Sequence, residues 1–243
     1  MPKLRLDSLL VARGLADNKS RAQAAIMAGE VTVNGNVMTK AGSTVPEDAD
    51  IRLKEKMPYV SRGGLKMAHA LQEFGIDVKG LACLDVGAST GGFTDCLLQH
   101  GAERVYALDV GYGQLDYKLR QDGRVVVMEK VNAHYPFDLP GEVSLAVMDV
   151  SFISVTSVIP NVLTHLSKEG ELVVLFKPQF EAGRDEVGKG GVIKDPAVHA
   201  RTIGRLVVWM NSNRLKLLNL AASPILGAEG NKEFLVQLRP WKP

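Results

Sequence analysis

Read for the spacing of its apolar positions, the chain changes texture near residue 57. Before it, Leu6, Leu9, Leu10 and Leu15 recur at helical spacing, with Gly14 closing the first helix. A second helix is capped by Asn18 or Ser20, carries Ala22, Ala25, Ile26 and Met27 on its apolar side, and ends at Gly29. Val31-Thr-Val33 then alternates as a strand into the hairpin signal Asn34-Gly35. After the turn-rich Ala41–Ala49, Asp50-Ile-Arg-Leu53 reads as a last short strand. Lys54-Glu-Lys-Met-Pro58 reads as a linker, since proline biases the residue before it towards extended backbone.

Beyond the linker, short apolar runs alternate with amphipathic stretches. A helix follows Arg62-Gly-Gly64 through Met67, Leu71 and Phe74. Strands are expected at 81–86, 104–110, 125–130, 144–150 and 171–176, with helices at 92–100, 113–120, 156–166 and 196–211. Two closing strands, 216–222 and 234–238, flank a turn-rich segment and can pair as an antiparallel hairpin. Such alternation predicts an α/β fold with a doubly wound sheet behind a small α+β unit. The domains are expected at 1–57 and 58–243, with 54–60 as the connection. The glycine- and charge-rich Glu181–Gly191 reads as a mobile loop.

Composition changes this picture little. With 46% hydrophobic and 23% charged residues the chain is an ordinary soluble protein, and the absence of a long apolar run or charged leader points to the cytoplasm. A formal charge of +2 means that any nucleic-acid contact must come from a local patch. Cys83 and Cys96 fall at apolar positions, which suits core packing rather than a disulfide or a metal site; no metal is expected.

The richest segment is Asp85-Val-Gly-Ala-Ser-Thr-Gly-Gly-Phe-Thr94, an acid ending a buried strand and then a glycine turn opening a helix. Gly87, Gly91 and Gly92 can take positive φ and admit a ligand to the backbone. Ser89 stands where a dinucleotide fingerprint needs its second glycine, and no Gly-Lys-Ser/Thr phosphate loop is present. The remaining pattern resembles the first motif of class I S-adenosylmethionine-dependent methyltransferases. That resemblance implies a Rossmann-like sheet. It implies cofactor contacts from Asp85, Gly87, Ala88, Ser89, Thr90, Gly91, Gly92 and Phe93, with Asp109 on the ribose, Asn132 near the adenine and Asp149 beside the methyl group.

Asp149 ends the fourth of these strands and Lys177 the fifth, while Glu233 opens the last strand and Lys66 lies early in its helix. Singly, each of these residue types is more often a surface or salt-bridge group. In order and context the four resemble the Lys-Asp-Lys-Glu set of FtsJ-like ribose 2′-O-methyltransferases.

The first unit has its own resemblance. Arg5-Leu-Asp-x-Leu-Leu10, Ser20-Arg21 and Gly29-x-Val-x-Val-Asn-Gly35 look like the S-four RNA-binding domain, and they sit among lopsided charges. Lys3, Arg5, Arg13, Lys19, Ser20 and Arg21, with Arg62 after the linker, are the RNA-binding candidates; a merely solvated basic face is the alternative. Taken whole, the chain resembles the TlyA family of ribosomal RNA methyltransferases, long labelled haemolysin A. The resemblance implies methyl transfer to a cytidine 2′-hydroxyl of ribosomal RNA or a ribosomal subunit. Lys177, crowded by Lys66 and partly desolvated, would accept the proton; Asp149 would hold its ammonium and Glu233 would position Lys66. Two other classes stay open: a pore-forming haemolysin, and a catalytically silent RNA-binding assembly factor.

Overall fold

The structure is a computed structural model, and it describes residues 2–54, 57–183, 185–188 and 190–241. Glu55 and Lys56 of the expected linker, and Arg184 and Lys189 of the expected mobile loop, lie outside the described residues. The chain divides into two compact units, Met1–Lys56 and Met57–Pro243.

The first unit is built on α1 (Leu6–Ala12) and α2 (Lys19–Met27), with β2 (Val31–Val33) between β3 (Asn36–Met38) and β5 (Ile51–Leu53) in an antiparallel sheet. Asn18 caps α2 by accepting from Arg21 N at 2.9 Å, which settles the choice between Asn18 and Ser20. Leu6, Leu10, Ala22, Ile26 and Val31 are fully buried and form its core. Met27, expected on the buried side, is exposed, because Ala22 and Ile26 already define the inward stripe and the next residue rotates about 100° off it. A second pair, β1 (Lys3–Arg5) with β4 (Thr44–Pro46), was not legible in three-residue segments too short to show alternation.

The second unit is a seven-stranded sheet. Its strands are β6 (Ala82–Val86), β7 (Arg104–Asp109), β8 (Val125–Glu129), β9 (Val143–Met148), β10 (Leu166–Phe176), β11 (Leu215–Ala222) and β12 (Phe234–Pro240). Their spatial order is β11-β12-β10-β9-β6-β7-β8; β6 to β10 run parallel, and the closing β11–β12 hairpin is antiparallel as expected. Period-2 alternation sorts the side chains. Leu84, Val86, Leu108 and Met148 join a core with α6 (Ile159–Leu163) and α7 (Pro196–Ser212). Cys83, Val105, Leu145 and Val147 face the other way, against α3 (Gly63–Phe74), α4 (Gly92–Gln99) and α5 (Tyr117–Gln121). Cys83 and Cys96 are free, buried thiols, each pushed up to about 12 by desolvation.

Two helices differ from expectation. The helix expected at 113–120 starts at Tyr117, because Gly113 takes positive φ and Asp116 caps the amide of Lys118. The one expected at 156–166 breaks into a 3₁₀ turn, Val155–Ser157, and the short α6, and β10 begins already at Leu166 through an irregular pairing with β9. Among the described residues, the glycine-rich 181–191 loop bonds to its surroundings at Glu186 and Gly191. Glu186 accepts from Gly183 N and pairs with Arg201 and Arg205, and Asn231 Nδ2 donates to Gly191 O.

Candidate active site

The chain enters the sheet at β6, winds outward through β7 and β8, then crosses to β9 on the other side of β6. The crossover leaves a crevice at the carboxyl ends of β6 and β9, the place where open α/β sheets bind ligands. Gly87 and Asp149 face each other across it. Gly87 has φ +85°, and a Cβ there would lie 2.4 Å from the carbonyl oxygen of Asp149. Gly92 is different: it has ordinary helical backbone, contrary to the expected positive φ. A Cβ at Gly92 would meet Ser61 Oγ at 2.3 Å and Gly64 N at 2.9 Å. The glycines therefore serve close contact between protein segments, which a reading of the turn as a ligand cradle did not foresee.

Asp85 is fully buried at the end of β6. Its Oδ2 accepts from Thr94 N at 2.9 Å and Thr94 Oγ1 at 2.6 Å, while Oδ1 has no hydrogen-bond partner among the described residues. Burial pushes this carboxyl up to about 7; the Thr94 bonds oppose the shift and the Asp149 and Asp109 charges add to it. A cavity of about 200 Å³ opens on this group, with Lys66, Gly87, Ser89 and Asp149 among its walls. An adjoining cleft of about 570 Å³ shares Gly87, Ser89 and Asp149 and is lined further by Asp109, Asn132 and Phe152.

The four candidate catalytic groups form two ion pairs. Lys66 Nζ lies 2.5 Å from Glu233 Oε2, and both residues are over nine-tenths buried. Lys177 Nζ lies 2.6 Å from Asp149 Oδ1, a contact at ion-pair distance but off-axis for a hydrogen bond, and it donates to Ser151 Oγ at 2.8 Å. Each amine thus has its own carboxylate, Glu233 for Lys66 and Asp149 for Lys177, the partners that the resemblance implied. Ser151 and Thr94 hold the site together, and neither role was assigned from the sequence. The only available signal was a hydroxyl two residues beyond a strand-ending acid and another inside the helix after a glycine turn.

The other candidates are placed with less focus. Asp109 accepts Ser89 N at 2.8 Å and Gly111 N at 2.7 Å, and Asn132 Oδ1 accepts His134 N at 3.0 Å, so both already organise turns at the cleft. Ala88, Thr90 and Phe93 line the smaller cavity, and Gly91 sits at φ +95° against Leu119. In the first unit, Arg5 forks onto buried Asp7, whose carboxyl it holds well below the usual range. Arg13 donates to the carbonyls of Ala49 and Glu47, and Arg21 pairs with Asp17. Lys3, Lys19 and Ser20 are exposed. Arg62 belongs to the second unit, where it donates to Leu226 O at 2.9 Å.

Known proteins match this architecture along nearly its whole length. Residues 59–240 fit the model for the FtsJ-like methyltransferase family, and residues 4–51 fit that of the S4 domain. Hemolysin A of Brachyspira hyodysenteriae is 44% identical over 96% of this chain and 98% of its own. The 16S/23S rRNA (cytidine-2′-O)-methyltransferase TlyA of Mycobacterium tuberculosis is 42% identical over 98% of this chain and 90% of its own. A solved structure from Streptococcus thermophilus bearing the hemolysin label superposes with a TM-score of 0.76 at 42% identity, covering 100% of this chain and 90% of that one. With a seven-stranded methyltransferase sheet behind a leading S4 domain, the chain belongs to the FtsJ-like methyltransferases, in the group that includes TlyA and hemolysin A.

Proposed function

We propose that this chain is an S-adenosylmethionine-dependent ribosomal RNA methyltransferase that modifies a ribose 2′-hydroxyl, that of a cytidine. The observation that carries this reading is the meeting of two lysine–carboxylate pairs with the Asp85–Gly87 turn at one switch point of the sheet. The activity for which the TlyA relative is named supports the substrate class, and only RNA presents a 2′-hydroxyl.

The donor set fits the cofactor. Unpartnered Asp85 Oδ1, buried at the cavity, is an acceptor suited to an amino group such as that of the methionine moiety. Each Asp109 oxygen has one amide donor and keeps a lone pair for a ribose hydroxyl. Asn132 lines the same cleft, where an adenine would fit. Bound there, S-adenosylmethionine supplies an electrophilic methyl group on a positively charged sulfur.

In its neutral amine form Lys177 would accept the proton of the ribose 2′-hydroxyl, whose oxygen would take up the methyl group that the bound cofactor supplies. Asp149 stabilises the lysine ammonium that results, and Ser151 fixes its direction. Glu233 holds Lys66, whose ammonium orients the attacking oxygen. The first unit contributes RNA affinity through Lys3, Lys19, Ser20 and the outer faces of Arg5, Arg13 and Arg21, with Arg62 adding from the second. Action on ribosomal RNA would suit a place in the cytoplasm; among the described residues no helix is long and apolar enough to cross a membrane.

Labelled S-adenosylmethionine incubated with ribosomes, separated subunits and bare ribosomal RNA tests the reading. Methyl incorporation that makes one phosphodiester resistant to alkali is the expected result. Label on a base, or none on any substrate, overturns it, and lysis of red cells by purified protein would support the pore-forming alternative instead.

A further inference from the structure

Two loops at the carboxyl edge of the sheet carry Lys177 and Asp149, and they are joined at both ends. At one end Lys177 meets Asp149 and Ser151. At the other, Glu181 accepts with both oxygens, Oε2 from Ser154 Oγ at 2.7 Å and Oε1 from Val155 N at 2.8 Å. Between these rungs the rings of Phe152 and Phe180 lie 5.0 Å apart.

Phe152 shows why the second rung matters. It is 91% exposed and has φ +63°, a left-handed conformation that a bulky side chain rarely adopts. Such a conformation persists only where the surroundings over-determine it, and strained backbone of this kind concentrates at functional sites. The peptide carrying it runs from Asp149 to Val155, pinned by Lys177 at its start and by Glu181 at its end. Glu181 itself touches neither Lys177 nor Asp149 by any hydrogen bond, and it is partly withdrawn from water, which raises its carboxyl above the usual range.

We propose that Glu181 is a positioning residue for methyl transfer: its two-pronged grip on Ser154 and Val155 seats the 149–155 loop and so sets the Asp149 carboxylate against the Lys177 amine. This rests on the reading that Lys177 and Asp149 carry the reaction. Sequence alone gives no hint of it, because an acid in a glycine-rich charged loop is ordinarily solvated.

The test compares Glu181→Ala and Glu181→Gln with the unaltered full chain, using ribosomal RNA and labelled S-adenosylmethionine. Single-turnover methyl transfer should fall about 10- to 100-fold in the alanine variant, the scale of a small misplacement of reacting groups. The dissociation constant for RNA should stay within about two-fold of the unaltered chain, and cofactor affinity should fall far less than the rate, because the chemical step is chiefly at stake. The glutamine variant should recover most of the rate, since its amide oxygen still accepts from Val155 N and its amino group can donate to Ser154 Oγ. Amide hydrogen exchange across 149–155 should quicken in the alanine variant and return towards normal in the glutamine one. An unchanged single-turnover rate in the alanine variant, or a loss matched by equal losses of cofactor affinity and melting temperature, overturns the assignment. Should the unaltered chain transfer no methyl to any RNA, the functional reading fails by itself; the exchange measurement then still judges the clamp, and unchanged protection at Val155 overturns it.

Discussion

Lys177 is the side chain on which the proposed chemistry turns. Its amine sits between a carboxylate at 2.6 Å and a hydroxyl at 2.8 Å, at the end of an apolar strand. Lys177→Ala is expected to lower single-turnover methyl transfer by about 10²- to 10⁴-fold, the range for loss of a positioned general base, while calorimetry shows cofactor binding within a few-fold. Full transfer by that variant would remove Lys177 from the proton path. Asp85 supports a second prediction, in pH. Its carboxyl, raised to about 7 in the folded chain, keeps a proton over a pH range in which the unfolded chain has already released it. The folded state is therefore relatively favoured at low pH, and this contribution fades as pH rises from about 4 through 7. Asp85→Asn, which can still accept from Thr94, should be more stable than the unaltered chain at pH 8, by roughly 4 kcal/mol at most, with the gap closing towards pH 4. The same substitution should weaken cofactor binding. Affinity of the unaltered chain should strengthen with pH up to about 7, as the carboxylate becomes available to the cofactor's amino group; a flat profile in calorimetry would contradict that role.

At the scale of the element, glycine spacing decides whether strands and helices can close around the site. Gly87 combines φ +85° with a neighbouring backbone oxygen 2.4 Å from its would-be Cβ, so neither rotation nor a side-chain shift relieves a substitution. Gly87→Ala should cost about 1–3 kcal/mol from backbone strain alone and separate the β6 turn from Asp149. A lower melting temperature with weaker cofactor binding is the expected pair of results. Gly91 offers a control, because the atoms in its way are the ends of Leu119 and Leu115; strain at its positive φ remains, but side chains can yield. The α3–α4 contact at Gly92 and Gly64 is of the backbone kind for one partner and of the ring kind for the other, where Tyr59 occupies the space. Motif letters revealed which glycines are present. They did not reveal that their neighbours are protein.

For the whole molecule, charge is spread thinly and the two units each have a core of their own. Basic residues in the first unit are partly committed to internal bonds: Arg5 to Asp7, Arg13 to two carbonyls, Arg21 to Asp17. RNA affinity through Lys3 and Lys19 should therefore be modest and salt-dependent. Replacing both by Ala should weaken RNA binding and flatten the plot of log affinity against log salt by about one to two units, with little effect on melting temperature. An unchanged slope in filter binding would send the phosphate contacts elsewhere. Arg5→Ala differs in kind: it strips a partner from buried Asp7, which keeps bonds from Gln23 and Ser8, and should destabilise the first unit by about 1–3 kcal/mol.

Much of this is legible in the amino-acid sequence alone. Apolar periodicity is a local property, so the strand–helix alternation, the hairpin at Asn34-Gly35 and the antiparallel close of the sheet could all be read from the chain. The strand-ending acids and lysines could be named because a parallel strand delivers its last residue to the carboxyl rim, whatever lies beside it. Spacing along the chain could not decide which groups meet; only the family resemblance paired Asp149 with Lys177 and Glu233 with Lys66. Lys66 and Glu233 are separated by 167 residues, and their 2.5 Å contact exists only because α3 and the start of β12 converge at one edge of the sheet. The split of the four charges into two pairs, the backbone oxygen against Gly87, the lone oxygen of Asp85 and the grip of Glu181 are all products of three-dimensional closure. Distances between remote side chains follow from packing, and no spacing along a polymer encodes them.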